Sequence, residues 1–338
     1  MAELVDALAS GASDLQRSWK FKSSFGYQGV KIYSRNAEGG VIANRIKKAI
    51  FPVGGLGTRF LPATKSLPKE MLPVANKPLI QHAFEEAMSA GIEEFIFIIG
   101  RNKNAITNHF DCAFELEHNL SIKEKEDALA LTRDWIPEPG NVIFIRQQHP
   151  LGLGHAIWCA RHMIRDEYFA VLLADDLFIT PGTKSLLAGM VDAHQSFQTN
   201  LVAVAEVPKQ DINKYGIIDP GARSNDHLLQ IKDMVEKPNI EDAPSNVAVM
   251  GRYILHSEIF SYLAKTPQGS NAEIQLTDAM KLMLQAGKED FYGYQFSGFR
   301  LDCGTQIGWL EANIRFALRD DTIRAQAKEL IKKIANAE

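Results

Sequence analysis

The strongest constraint on the fold is an apolar run that ends in a glycine-rich loop. Residues 49–53 read Ala-Ile-Phe-Pro-Val. Three glycines follow within four positions: Gly54, Gly55 and Gly57. Because glycine carries no side chain, a buried strand can stop here and a tight loop with accessible backbone N–H groups can begin. The pattern therefore predicts a strand followed by a loop that can approach a ligand closely.

This loop is suited to phosphate. Arg59 and Lys69 add positive charge to the N–H groups that such a loop exposes. A Walker A loop is excluded because Gly57 is followed by Thr58 and Arg59 instead of Lys and Ser or Thr, and the dinucleotide fingerprint is excluded because Phe60 replaces its third glycine. An ordinary glycine-rich turn is the alternative interpretation, but the two cations favour a phosphate site.

The pattern after the loop indicates an α/β fold. Pro78 opens a helical pattern that Gly91 closes, and residues 94–99 form the next apolar run. A strand, a helix and a strand in this order form a βαβ unit, which predicts a parallel sheet covered by helices. Further strands are predicted at residues 141–145, 169–174 and 201–207. The predicted helices are residues 105–116, 122–134, 156–164, 181–197, 306–318 and 321–335.

Composition narrows the class of protein. The chain has 338 residues, 46% of them hydrophobic, and a net charge of −4, so we expect no nucleic-acid partner. No apolar run approaches membrane-spanning length, so we expect no membrane partner either. Cys112, Cys159 and Cys303 show no CxxC spacing, which argues against a zinc site or a disulfide framework and predicts a cytoplasmic location.

The ends of the chain differ from its middle. Residues 1–45 are polar and rich in glycine and show no helical or strand periodicity, so we expect them to form a poorly ordered leader. We also consider the alternative that translation starts after Met1 and that the leader is not part of the protein. Residues 46–319 are predicted to form one catalytic domain. Residues 320–338 are predicted to form a C-terminal helix with an apolar stripe suited to self-association, so we expect a homo-oligomer, either a dimer or a tetramer.

Two runs carry a family resemblance. Gly-Gly-Leu-Gly-Thr-Arg at 54–59 and Pro-Lys-Glu-Met-Leu-Pro at 68–73 resemble the signature of sugar-1-phosphate nucleotidylyltransferases. Residues 108–117 are similar to a segment of the bacterial UTP:glucose-1-phosphate uridylyltransferases, and the resemblance extends from about residue 46 to residue 318. It implies a Rossmann-like mixed, mostly parallel sheet flanked by helices, of the nucleotide-diphospho-sugar transferase type, with sugar-binding insertions.

The resemblance also implies the residues that bind the nucleotide. These are Gly54, Gly55, Gly57, Thr58, Gln147 and Gly152. The amide of Gln147 offers both a donor and an acceptor to the edge of a pyrimidine, and glycine at position 152 lets the backbone approach a flat base. An N-terminal helix cap is the alternative interpretation of this segment.

Two aspartates are the predicted metal ligands. Asp175 follows the apolar run 169–174, and ligands in open parallel sheets bind outside the carboxyl ends of strands. Asp302 stands beside a second glycine turn and matches the other metal aspartate of the family. The resemblance implies that both hold Mg²⁺, for which carboxylates are suitable ligands. Asp176 is expected to have a supporting or solvent-facing role.

The sugar-binding residues come from three further segments that match the family. They are Gly216, Glu236, Asn246 and Gly251. Glu236 can accept hydrogen bonds from sugar hydroxyls, and Lys237 can hold the sugar phosphate. Arg59, Lys69 and Lys237 are therefore the predicted catalytic cations.

The reaction implied by the resemblance is transfer of a uridylyl group from UTP to glucose 1-phosphate, which gives UDP-glucose and pyrophosphate. Because two polyanions must meet, the cations and the metal lower an electrostatic barrier, and no general base is required. One alternative is an enzyme of the same fold that uses another base or sugar, such as a thymidylyl or guanylyl transferase. The other is a non-catalytic nucleotide-sugar sensor.

Overall fold

A computed structural model describes residues 45–269 and 272–336, which form a mixed β-sheet covered by helices on both faces. The expectation of a poorly ordered leader falls on residues 1–44, outside the described residues. The division into a leader, a catalytic domain and a C-terminal helix stays a prediction. Within the described ranges, no helix is both long enough and apolar enough to span a membrane.

The strands and helices follow one another along the whole described chain. The strands are β1 (Lys48–Val53), β2 (Pro73–Val74), β3 (Lys77–Pro78), β4 (Glu94–Ile99), β5 (Val142–Arg146), β6 (Tyr168–Leu172), β7 (Asp176–Ile179), β8 (Asn200–Glu206), β9 (Gly216–Arg223), β10 (Leu228–Glu236), β11 (Val247–His256), β12 (Phe291–Gln295) and β13 (Phe299–Asp302). The α-helices are α1 (Leu79–Ser89), α2 (Asn104–His109), α3 (Phe114–Ile122), α4 (Glu126–Arg133), α5 (Leu153–Trp158), α6 (Leu186–Phe197), α7 (Ile259–Leu263), α8 (Leu276–Gln285), α9 (Gln306–Ala317) and α10 (Arg324–Ala335).

The main sheet has nine strands in the order β5-β4-β1-β6-β11-β8-β12-β10-β9. Pairing is parallel among β5, β4, β1 and β6 and again between β8 and β12, and the other strand pairs in the sheet are antiparallel. The mixed sheet with flanking helices is therefore confirmed. Fewer of the strand pairs are parallel than the sequence pattern indicated. The reason is that residues 216–256 form three long strands, β9, β10 and β11, which pair antiparallel with their neighbours in the sheet.

Alternation along the central strands divides the core into two layers. On β1, Phe51 packs on the face covered by α1 and α6, whereas Ile50 packs on the face covered by α5, α7 and α8. The two side chains are fully buried, as expected for a strand covered on both sides. The methionines Met280 and Met283 of α8 are buried in the second layer.

A two-stranded ribbon and a third apolar cluster hold the glycine-rich loop against the C-terminal part of the domain. Strands β7 and β13 pair antiparallel apart from the main sheet. Phe60 and Leu72, which both follow the loop in the sequence, pack in one cluster with Leu301 of β13. The indole N–H of Trp309 on α9 donates to the carbonyl oxygen of Pro73 at 2.9 Å. These contacts place the residues around position 60 next to the residues around position 302.

Some predicted helix bounds were wrong. The pattern over 105–134 gave two helices, but the chain forms the three short helices α2, α3 and α4. The helix predicted at 156–164 ends at Trp158, and the chain continues in tight turns in which the N–H of Met163 donates to the carbonyl of Ala160 at 2.8 Å. Apolar residues at helical spacing are also compatible with successive turns, so periodicity alone did not separate the two.

Candidate active site

A cavity of about 610 Å³ opens at the carboxyl end of β6 and is lined by loops from distant parts of the chain. The predicted site residues that line it are Arg59, Asp175, Gly216, Glu236, Lys237, Gly251 and Asp302. They come from the turn after the glycine-rich loop, the segment after β6, β9, the end of β10 and the residue after it, β11 and the end of β13. The fold therefore gathers the predicted metal-binding and sugar-binding residues around one opening.

The two predicted metal ligands converge. The N–H of Cys303 donates to the backbone carbonyl of Asp175 at 2.8 Å, which ties the segment after β6 to the end of β13. A Cβ atom placed on Gly304 would lie 3.1 Å from Oδ2 of Asp175 and 3.0 Å from Oδ1 of Asp302. The two carboxylates thus flank one point and are on the same side of the molecule.

Lys69 contacts one of these two aspartates, Asp175, directly. Its Nζ lies 2.5 Å from Oδ2 of Asp175, and both side chains are about three-quarters buried. Burial alone would raise the pKa of Asp175, but the ammonium of Lys69 lowers that pKa below its ordinary value. Burial likewise opposes the charge on Lys69, yet Asp175 keeps the pKa of Lys69 above its ordinary value. Both groups are charged at neutral pH.

A second buried ion pair supports Lys69 from behind. Glu70 is 2% exposed and Lys103 is 5% exposed, and Nζ of Lys103 lies 2.7 Å from Oε2 of Glu70. Burial raises the pKa of Glu70, although Lys103 opposes this effect. Because Glu70 lies in the same 3₁₀ turn, Lys69–Met71, its partner also helps to fix the backbone that carries Lys69. Sequence reasoning assigned no role to Lys103, because nothing near position 103 marks it as a partner of Glu70.

The glycine-rich loop packs against the side chain of Lys69. Gly57 has a φ of +67°, which favours glycine, and its carbonyl accepts a hydrogen bond from Oγ1 of Thr64 at 2.7 Å. A Cβ on Gly55 would lie 3.7 Å from Cε of Lys69. Thr58 begins the exposed 3₁₀ turn that carries Arg59 into the cavity wall.

The predicted base-binding residues lie together beside the first glycine of this loop. A Cβ on Gly54 would lie 2.8 Å from Oε1 of Gln147, so only glycine leaves room for that amide. Nε2 of Gln147 donates to the carbonyl of Gly152 at 3.2 Å and lies 3.0 Å from Nδ1 of His155. Gly152 has a φ of +96° and stands at the start of α5. These residues form a separate group next to the lined cavity.

The sugar-side residues are organised by the β9–β10 hairpin. Gly216 pairs in register with Glu236, and a Cβ on Gly216 would lie 3.2 Å from Oε2 of Glu236. Nζ of Lys237 lies 3.1 Å from Oε1 of Glu236. Asn246 differs from this group, because it lies outside the set of described residues that line the cavity and its Nδ2 donates to the carbonyl of Val207 at 3.4 Å.

Asp176 and Arg300 add a charged pair that sequence reasoning did not identify. Asp176 is 5% exposed, so its role is not solvent-facing, and its Oδ1 lies 2.6 Å from Nη2 of Arg300. Burial raises the pKa of Asp176, although Arg300 acts in the opposite direction. Arg300 occupies a position two residues before Asp302, and the alternation of a strand could have placed the two side chains on one face.

The residues at this opening fit a divalent cation. Asp175 and Asp302 supply only oxygen donors, which suit hard divalent ions, and Lys69 and Arg300 leave the group of three aspartates with a net negative charge. The arrangement can hold a cation next to the glycine-rich loop, where the sequence predicts a phosphate site. It is suited to phosphoryl or nucleotidyl transfer, which needs charge stabilisation more than proton transfer.

Comparisons with known proteins agree with this chemistry. Residues 48–317 match the Nucleotidyl transferase family. The chain is 43% identical over 296 residues to the UTP--glucose-1-phosphate uridylyltransferase of Bacillus subtilis (strain 168), which covers 87% of this chain and 99% of the relative. It is 45% identical over 293 residues to UTP--glucose-1-phosphate uridylyltransferase 1 of Staphylococcus saprophyticus, with 86% and 99% coverage.

Solved structures resemble this fold as well. A UDP-glucose pyrophosphorylase complexed with UDP-glucose has a TM-score of 0.74 and 45% identity, and the match covers 81% of this chain and all of that one. A UTP-bound UGPase from Acinetobacter baumannii has a TM-score of 0.78 and 40% identity, with coverage of 85% and 98%. The chain therefore belongs to the nucleotidyl transferase family and is a nucleotidyltransferase.

Proposed function

We propose that this chain transfers the uridylyl group of UTP to glucose 1-phosphate, with release of pyrophosphate and formation of UDP-glucose. The observation that carries the proposal is the convergence of Asp175, Asp302 and Lys69 beside the glycine-rich loop. The names of relatives that share more than 40% of their residues with this chain support the choice of UTP and glucose 1-phosphate.

The cations of the chain act on the charges that meet in the reaction. Lys69 and Arg59 neutralise the departing pyrophosphate, and Lys237 holds the phosphate of the incoming sugar. Asp175 and Asp302 would hold Mg²⁺, which would supply positive charge next to the α-phosphate. A sugar phosphate dianion is already a nucleophile, so no histidine needs to remove a proton.

Two other groups of residues select the substrates. Gln147 offers its amide to the edge of the uracil. Gly54 leaves room for this amide, and the carbonyl of Gly152 accepts a hydrogen bond from its Nε2. On the opposite side, Glu236 accepts hydrogen bonds from the sugar hydroxyls, and Gly216 allows the sugar to approach the backbone. Gly251, which lines the cavity, and Asn246, which lies outside the cavity wall, complete the proposed set.

The direct test is release of pyrophosphate by the full-length enzyme with a panel of substrates. UTP, dTTP, GTP and ATP are each combined with glucose 1-phosphate, and UTP is then combined with galactose, mannose and N-acetylglucosamine 1-phosphates. We expect the highest kcat/KM for UTP with glucose 1-phosphate. A higher value for dTTP or GTP would replace the proposed base, and no turnover with any pair, despite binding of UDP-glucose, would indicate a sensor.

We also propose that the enzyme is a cytoplasmic homo-oligomer in which α10 contacts a second copy. Ile323, Leu330 and Ile334 follow one another at intervals of seven and four residues and are 39–58% exposed. Ile307 on α9 is 74% exposed. Apolar residues at this spacing form the stripe through which helices pair, so a second copy would remove these side chains from water.

A further inference from the structure

One largely buried arginine contacts both sides of the cavity. Arg300, on β13, directs Nη2 to Oδ1 of Asp176 at 2.6 Å, and its Nη1 donates to the hydroxyl of Tyr215 at 3.0 Å. The guanidinium carbon also lies 5.0 Å from the centre of the Tyr215 ring. The side chain of Arg300 is 17% exposed and lines the cavity. A single side chain thus contacts two segments that are 39 positions apart in the sequence.

Asp176 belongs to the metal-binding side. It follows Asp175 directly and pairs in register with Asp302, so the three carboxylates share the β7–β13 ribbon and the turn before it. The backbone carbonyl of Asp176 accepts a hydrogen bond at 2.8 Å from Nη2 of Arg252, whose side chain is fully buried. This side of the cavity is therefore rigidly supported, and Arg300 extends from it.

Tyr215 belongs to the sugar-binding side. Its carbonyl accepts a hydrogen bond from the N–H of Lys237 at 3.0 Å, and it precedes Gly216. Lys237 has a φ of +46°, a conformation that strains a residue other than glycine and persists only where neighbouring residues hold it. A displacement of Tyr215 would therefore move the backbone of Gly216 and Lys237 together.

We propose that Arg300 is a positioning residue that holds the sugar-binding segment, Tyr215–Gly216 with Glu236–Lys237, at a fixed distance from the two metal-binding aspartates. The inference rests on the proposed function and deepens it. The planar guanidinium can contact a carboxylate and a hydroxyl at the same time in fixed directions, whereas lysine presents a single point charge. The two contacts of Arg300 should therefore act as one unit, and the loss of either should release the sugar-binding segment.

The test uses Arg300→Lys, Tyr215→Phe and the double variant of the full-length enzyme. The first keeps the charge but not the geometry, and the second removes only the hydroxyl. We expect each single variant to raise the KM for glucose 1-phosphate about tenfold while the KM for UTP changes less than about twofold, because a displaced binding segment weakens only its own substrate. We expect the double variant to resemble Arg300→Lys, because contacts that act through one another are not additive.

Arg315→Met is the matched control. Arg315 also has an ion pair, with Glu311 at 2.6 Å, and a ring contact, with Phe299 at 3.9 Å, but it lies on α9 outside the cavity wall. We expect it to leave both KM values unchanged. Where Arg300→Lys lowers the melting temperature, Tyr215→Phe decides the question, because it leaves no buried charge without a partner.

Three results would overturn the inference. They are single variants that match Arg315→Met, equal increases in the two KM values, and additive effects in the double variant. Failure of the proposed function gives a different result, because wild-type enzyme would then release no pyrophosphate from UTP and glucose 1-phosphate.

Discussion

Substitution of Lys103 by methionine should destabilise the enzyme far more than an ordinary loss of surface charge. Lys103 and Glu70 are 5% and 2% exposed, and their charged atoms lie 2.7 Å apart. Removal of one partner of such a pair costs about 3–5 kcal/mol, because the other charge stays buried without compensation. Lys69 still lies near Glu70 and offsets part of this cost. We therefore expect the free energy of unfolding to fall by about 3 kcal/mol.

The assay is urea unfolding of the full-length protein, followed by tryptophan fluorescence. Lys47→Met is the matched control, because Lys47 pairs with Glu93 at 3.6 Å while both side chains are about half exposed. Such a surface pair contributes at most about 1 kcal/mol. The double variant, Glu70→Gln with Lys103→Met, should recover part of the lost stability because neither position 70 nor position 103 then carries a buried charge.

The dependence on pH gives an independent check. Burial raises the pKa of Glu70 in the folded protein, and removal of Lys103 takes away an influence that lowers this pKa. The folded variant then binds a proton more tightly than the unfolded chain, so its stability falls as pH rises above the ordinary glutamate pKa. The deficit of Lys103→Met relative to wild type should therefore be smaller at about pH 5 than at about pH 8. A deficit equal to that of Lys47→Met, or one that grows on acidification, would refute the reasoning.

The remaining predictions concern catalysis and assembly. Lys69→Met should lower kcat about 100-fold through weaker stabilisation of the leaving pyrophosphate, and a turnover within about threefold of wild type would exclude Lys69 from the mechanism. Asp302→Asn should shift the midpoint of a Mg²⁺ titration of activity at least tenfold upward, because a neutral amide replaces a charged ligand; an unchanged titration would count against the assignment. Leu330→Glu should convert the oligomer into a smaller species in light scattering, since it places a charge in the exposed stripe of α10; an unchanged mass would argue for another interface.

Local sequence patterns were sufficient to predict the strands and the helix that surround the glycine-rich loop. Residues 49–53 and 94–99 were predicted as strands with a helix between them, and the structure contains β1, α1 and β4 in that order. Long apolar runs and a proline at the helix start carry this information within a few residues of each element. The antiparallel strands after residue 216 were harder to predict, because they contain fewer uninterrupted apolar residues and depend on pairing across the sheet.

The site shows the same division. Asp175 and Lys69 were identified from the residues that surround them and Asp302 from the family resemblance, and the fold brings these side chains together. Lys103 and Arg300 were missed because their role depends on partners 33 and 124 positions away in the sequence, to which no local motif points. Burial changes the meaning of such residues, since a charge that would be ordinary on the surface becomes a structural support inside the protein.

The position of the β7–β13 ribbon has a consequence for how activity arises during synthesis of the chain. A product that terminates after Gln295 contains all nine strands of the main sheet, yet it has neither Asp302 nor Arg300. The ribosome therefore completes the main sheet before it synthesises the segment that carries Arg300 and Asp302. On the proposed role of Asp302 as a metal ligand, molecules that terminate after Gln295 should therefore be inactive with UTP.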